Sequence, residues 1–121
     1  MSHDDLEIIA YKALTYVDAC NREGVAPSAG QLDAICEVNP RRLAQVVRML
    51  VRDGYLEGAE VADYMDGETD VSLSRAEVTF AGARFLRDDP GMAEARRLKG
   101  AVVEAAVGSA VALLLKASLG I

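Results

Sequence analysis

The chain has 121 residues, of which 51% are hydrophobic and 26% charged, and this composition is typical of a folded domain rather than a disordered segment. The length predicts one domain with an appendage, and the formal net charge is −6. Two cysteines, Cys20 and Cys36, are too few for a disulfide framework or a metal site, so we expect reduced thiols. The acidic start, MSHDDLE, lacks the apolar stretch of a secretory leader, and we therefore expect a cytoplasmic protein.

Two helices are predicted in the first third of the chain. The first runs from about His3 to Cys20, with a capping box of Ser2 and Asp5 at its start. After a short extended link, a second and shorter helix begins at a capping box formed by Ser28 and Gln31.

The segment NPRRLAQVVRMLVRDG, residues 39–54, predicts a third helix with one buried and one cationic face. Asn39 is a good N-cap, Pro40 suits the first helical position, and Gly54 lies where a helix commonly ends. The apolar residues that follow the spacing of a buried stripe are Leu43, Val46, Val47, Leu50 and Val51. The opposite face carries Arg41, Gln45, Arg48 and Arg52, with Arg42 beside them. On charge alone a solvated helix face explains this pattern, whereas the order of the neighbouring elements favours a helix that reads the major groove of DNA.

After Gly54 the hydrophobic period changes from that of a helix to that of strands. The segments from Tyr55 to Met65 and from Val71 to Val78 are predicted strands. Between them lies Asp66-Gly67, a dipeptide that is favoured in hairpin turns, so the two strands are predicted to form a hairpin.

Two more helices are predicted after the hairpin. Thr79 caps a short helix that runs through Leu86, and Asp89 caps a long final helix. Three helices followed by a two-stranded hairpin is the order of elements in a winged helix-turn-helix domain. The predicted fold class is therefore α+β and mostly helical, with a winged helix-turn-helix domain over residues 1–88 and a long C-terminal helix over residues 89–121.

Two stretches of the sequence resemble a known family. MLVRDGYL, residues 49–56, joins the third helix to the hairpin, and VTFAGARFL, residues 78–86, follows the hairpin. The same pattern continues with Asp89, Met92 and a basic cluster of Arg96, Arg97 and Lys99. Over about residues 5–100 the chain resembles the YjcQ-like family of small winged-helix proteins from bacterial genomes and prophages. The resemblance implies a winged-helix fold and, by fold analogy, DNA binding, while the last twenty residues are more apolar than the family pattern.

The cationic face of the third helix is the predicted contact with duplex DNA. Arginine can donate a pair of hydrogen bonds to guanine, and glutamine can pair in the same way with adenine. Two helix N-termini can present backbone N–H groups to phosphates. The predicted nucleic-acid-binding residues are Arg41, Arg42, Gln45, Arg48, Arg52, Ser28 and Asn39. We therefore expect a small DNA-binding protein that regulates transcription.

The charge of the hairpin supports a different function. Its acidic residues are Glu57, Glu60, Asp63, Asp66, Glu68 and Asp70. Like charges repel over a Debye length of about 8 Å, so we expect the hairpin to fold away from DNA or to face a basic partner. The alternative function is therefore a protein–protein adaptor that uses the same fold.

The sequence predicts no enzyme, no metal and no cofactor. His3 is the single histidine and lies near the N-terminus, where it is a poor general base and a poor metal ligand. The sequence contains no catalytic Ser–His or Cys–His pattern, no phosphate-binding glycine loop and no metal-ligand spacing.

The stretch from Gly100 to Leu115 carries one charged residue, Glu104. A helix that is apolar on all sides must be shielded from water by packing against protein or lipid. It spans about 24 Å, short of the roughly 30 Å hydrocarbon core of a bilayer. A row of small residues, Ala101, Ala105 and Ser109, permits close helix approach. The preferred interpretation is a homodimer formed by this helix, with intramolecular packing second and membrane contact last. The predicted dimerisation residues are Val103, Val107, Val111 and Leu114.

Overall fold

The computed structural model describes residues 4–120, with side chains from residue 6 onward. Over this range the chain forms five helices and four short strands: α1 (Asp4–Glu23), α2 (Ala29–Cys36), α3 (Pro40–Arg52), β1 (Leu56–Glu57), β2 (Glu60–Asp63), β3 (Thr69–Ser72), β4 (Glu77–Val78), α4 (Phe80–Asp88) and α5 (Pro90–Ser118). The fold is α+β and mostly helical, a winged helix-turn-helix domain followed by a long C-terminal helix, which confirms the predicted fold class. His3 and the predicted capping box of Ser2 and Asp5 lie outside the described residues and side chains.

Three helices begin at the caps that the sequence predicts. The backbone N–H of Arg42 donates to Asn39 Oδ1 at 2.9 Å. Thr79 Oγ1 accepts from the third helical residue of α4 at 2.9 Å, and Asp89 Oδ2 accepts from Gly91 in α5 at 2.8 Å. Each cap satisfies a backbone donor that has no partner inside its own helix.

The capping box predicted for α2 forms only in part. Ser28 Oγ accepts from the backbone N–H of Gln31 at 3.3 Å, but the Gln31 side chain does not return to Ser28. The N–H of Ser28 instead donates to the Tyr16 hydroxyl at 2.8 Å, and that hydroxyl donates to Gln31 Oε1 at 2.7 Å. Gln31 Nε2 in turn donates to the carbonyl of Ala110 at 3.0 Å. The four residues form a polar hub that joins α1, α2 and α5.

The predicted hairpin is present, but its two long strands are four short ones. β1 pairs with β4 and β2 pairs with β3, both antiparallel, as two separate ladders. The ladders are interrupted at Gly58, which has φ 79° and lies so close to the Arg75 carbonyl that a Cβ would be 2.0 Å from it. At the far end Gly67 has φ 87° and its N–H donates to the Tyr64 carbonyl at 3.0 Å, so Asp66-Gly67 forms the predicted turn.

The core is built around α1. Leu14 and Val17 of this helix are completely buried. α5 packs along α1 in the same direction, because Gly100 lies beside Tyr11 and the later residue Val111 shares a cleft with Ala19.

The residues predicted to pair with a second chain belong to this core. Val103, Val107 and Val111 are only 1%, 4% and 6% exposed. Leu114 is half-buried. These side chains pack inside their own chain and are not available as a dimer surface. The assignment of these four residues to a dimer interface is therefore wrong, and they pack intramolecularly instead. A helix that is apolar on all sides does not reveal in its sequence which face turns inward.

The outer face of α5 is apolar as well, and it is exposed. Leu98, Val102 and Leu113 are 51%, 70% and 62% exposed. Within the described residues, α5 is the one helix long and apolar enough to cross a membrane by length and composition, with 28% of its apolar window buried in the protein. Because the core helices of soluble proteins can pass the same test, this property alone is weak evidence for a membrane segment.

Candidate nucleic-acid interface

The orientation of α3 is set by its apolar stripe. The stripe residues that the structure buries to 4% exposure or less are Leu43, Val46, Val47 and Leu50. Val51 was predicted to belong to them but is 37% exposed, whereas Ala44, on the same flank of α3, is 1% exposed. Val51 lines a cleft between α3 and the hairpin together with Ala59 and Val61, and packing does not close the flank at this end.

The cationic face of α3 points away from the core, as the sequence predicts. Arg41, Gln45, Arg48 and Arg52 are exposed, and Arg42 is half-buried. Arg42 Nη1 donates to Gln45 Oε1 at 3.0 Å. One flank of α3 therefore presents a guanidinium and an amide held side by side, and both groups have the chemistry to read base edges.

The other flank of α3 is in contact with the hairpin. Arg48 forms an ion pair with Asp63 of β2, and Arg41 Nη2 donates to the carbonyl of Gly67 in the turn at 3.0 Å. Hydrogen bonding to the Arg48 guanidinium lowers the pKa of the Asp63 carboxyl below its ordinary value, so this carboxyl is ionised at neutral pH. A cleft of about 300 Å³ lies between the two elements and is lined by all four of these residues.

The acidic hairpin thus meets a basic surface of its own chain. The sequence predicts a hairpin that folds away from DNA or faces a basic partner, and the basic group that Asp63 meets is Arg48 of α3. The turn residues Asp66 and Glu68, and Asp70 of β3, remain exposed. The sequence alone does not distinguish Asp63 from the other acidic residues of the hairpin, because no local pattern links it to an arginine fifteen positions earlier.

The two predicted phosphate contacts at helix N-termini differ in availability. The backbone N–H of Ser28 is occupied by the Tyr16 hydroxyl, so Ser28 cannot offer it to a phosphate. Asn39 is exposed at the start of α3, where its side chain caps the helix. Of these two positions, only the N-terminus of α3 adjoins the arginine face.

The fold and this surface define a winged-helix protein with an arginine-bearing third helix. The chain matches the family described as YjcQ protein over residues 11–103, and it belongs to this family. No curated protein and no solved structure matches the chain.

Proposed function

We propose that the protein binds duplex DNA through α3 and acts as a small regulator of transcription. The observation that carries this proposal is the pair formed by half-buried Arg42 and exposed Gln45, on the side of α3 away from the contacts with Asp63 and Gly67. An α-helix fits the width of the major groove, where arginine pairs with guanine and glutamine with adenine. Arg42 and Arg41 form no ion pair among the described residues, whereas Arg48 pairs with Asp63 and Arg52 with Asp53.

The distribution of charge supports the same proposal. α3 carries four arginines and no acidic residue, although the whole chain has a net charge of −6. Arg52 is exposed near the C-terminal end of the helix, two turns after Gln45, and its Nε lies 3.4 Å from Asp53 Oδ1. We therefore expect DNA to approach α3 and to avoid the acidic hairpin that follows it.

The outer face of α5 extends the proposal to a homodimer. Val102 and Leu113 are largely exposed there, together with the small residues Ala101, Ala105 and Ser109. Pairing of two chains through this face places two copies of α3 on one particle, as palindromic half-sites about 34 Å apart require. The residues of this face replace those that the sequence assigned to the dimer.

A protein–protein adaptor is the second candidate function, and the exposed acids of the hairpin favour it. Asp66, Glu68 and Asp70 form no ion pair among the described residues, so they are open to a basic partner. In this case α3 has no nucleic-acid ligand. Salt-dependent binding to duplex DNA separates the two functions, because only a DNA-binding protein releases counterions from the duplex.

The test is fluorescence anisotropy of a labelled random-sequence duplex at low salt. The Arg42→Ala change should weaken binding and reduce the slope of log affinity against log salt concentration by about one, because one cationic contact with the duplex is lost. Arg97→Ala is the matched control, because it removes the same charge from α5, where Arg97 pairs with Glu94. Equal affinity of the wild type and both variants, or binding that does not respond to salt, would overturn the proposal.

A further inference from the structure

The hairpin follows α3 along most of its length. Its turn touches Arg41 in the first turn of the helix, and Asp63 touches Arg48 about two turns later. Beyond Arg48, the exposed side of Val51 and the hairpin residue Val61 line a second cleft between the same two elements. The hairpin therefore runs beside the arginine face instead of projecting from the end of α3.

The hairpin contacts the arginines of α3 through hydrogen-bond acceptors, as the phosphates of DNA would. A carboxylate accepts hydrogen bonds from a guanidinium as a phosphate does, so Asp63 occupies the Nη2 donor of Arg48, which a phosphate or a base could otherwise use. Thr69 Oγ1 donates to the second oxygen of Asp63 at 3.4 Å and orients the carboxylate. The carbonyl of Gly67 takes one donor of Arg41 in the same way.

The contact between Arg48 and Asp63 stabilises the closed position of the hairpin only weakly. The side chains of Arg48 and Asp63 are 46% and 62% exposed, and ion pairs with that exposure favour the closed form by about fivefold at most. The hairpin joins the rest of the fold through the two residue pairs of β1 and β4, and Val61 and Val71 of its outer ladder pack partly buried against the core. Gly58, in the left-handed region at φ 79°, lies between that ladder and the outer one.

We propose that the hairpin is an autoinhibitory strap, closed on the reading face of α3 by the Asp63–Arg48 and Gly67–Arg41 contacts and displaced by the phosphates of a bound duplex. This inference rests on the proposed function, since it adds a competitor inside the chain to the same binding surface. Duplex DNA must displace the Asp63 carboxylate before the Nη2 donor of Arg48 is free. The strap weakens the affinity of α3 for every duplex, and this inhibition requires no effector molecule.

The test compares Asp63→Asn with Asp70→Asn in the anisotropy assay. Both changes remove one negative charge from the hairpin, but only Asp63 pairs with an arginine of α3. We expect Asp63→Asn to bind the duplex more tightly than Asp70→Asn, by a factor of up to about five. In an Arg48→Ala background the two changes should have equal effects, because the contact that distinguishes them is gone.

The dynamics of the free protein give an independent readout. Nitrogen-15 relaxation should show greater mobility of residues 60–72 in Asp63→Asn than in Asp70→Asn, without any DNA present. If the wild type binds the duplex and Asp63→Asn gains no more than its control, or binds more weakly, the strap is wrong while DNA binding stands. If none of the proteins binds the duplex, the proposed function fails and the strap fails with it.

Discussion

The Tyr16→Phe substitution should destabilise the fold strongly, although it removes one oxygen atom. The Tyr16 side chain is completely buried, and its hydroxyl accepts from the Ser28 N–H at 2.8 Å while donating to Gln31 Oε1 at 2.7 Å. Burial raises the pKa of this hydroxyl well above its ordinary value, so it remains a protonated donor over the whole range in which the protein is handled. Phenylalanine fills the same space but leaves both partners without their hydrogen bond.

The size of the effect follows from those two partners. A buried donor or acceptor that loses its partner costs about 1–3 kcal/mol, and both groups here are partly buried, so we expect a loss of about 2–3 kcal/mol. For a chain of this size such a loss lowers the Tm by about 10 °C. The displaced amide of Gln31 also loosens its hydrogen bond to Ala110 in α5.

Thermal unfolding followed by circular dichroism measures this change, with Tyr11→Phe as the matched control. Tyr11 is also on α1 and is 2% exposed, but among the described residues its hydroxyl has no hydrogen-bond partner. The control should therefore change the Tm by a few degrees at most. Equal Tm values for Tyr16→Phe and Tyr11→Phe would refute the reasoning that the polar hub stabilises the junction of α1, α2 and α5.

Two further predictions concern α5. Truncation after Lys99 removes the buried side chains of Val103, Val107 and Val111, each of which contributes about 1.5–3 kcal/mol to the free energy of unfolding. Their sum is comparable with the whole stability of a domain, so the truncated chain should show no cooperative melting transition. A melting curve like that of the full chain would contradict the packing of α5 on α1. Replacement of Val102 and Leu113 by serine should leave the Tm nearly unchanged but convert a dimer into a monomer in sedimentation velocity. If the full-length protein is already monomeric at micromolar concentration, the proposed dimer is wrong.

The features that the sequence predicts correctly are local ones. Asn39, Thr79 and Asp89 cap their helices because a short polar side chain at an N-cap satisfies backbone donors two or three residues away. The position of the hairpin turn follows from Asp66-Gly67 for the same reason, since glycine supplies the positive φ that the turn requires. Such features need no knowledge of the rest of the fold.

The features that the sequence does not reveal depend on which elements meet. The inward face of α5 is chosen by α1, and the apolar pattern of α5 is compatible with several choices. The Gln31 side chain bonds to Tyr16 and Ala110 instead of Ser28, and these two partners are close to Gln31 only in the folded chain. The pairing of Asp63 with Arg48 likewise arises only after the hairpin has settled beside α3.

The central claim is that α3 is the surface that contacts DNA, and amide chemical-shift mapping tests it most directly. A nitrogen-15-labelled sample of the full chain would be titrated with a random-sequence duplex at low salt. We expect the largest shifts on residues 41–52, accompanied by smaller shifts in residues 60–72 as the hairpin is displaced. Shifts confined to α5, or a spectrum unchanged at saturating DNA, would contradict it.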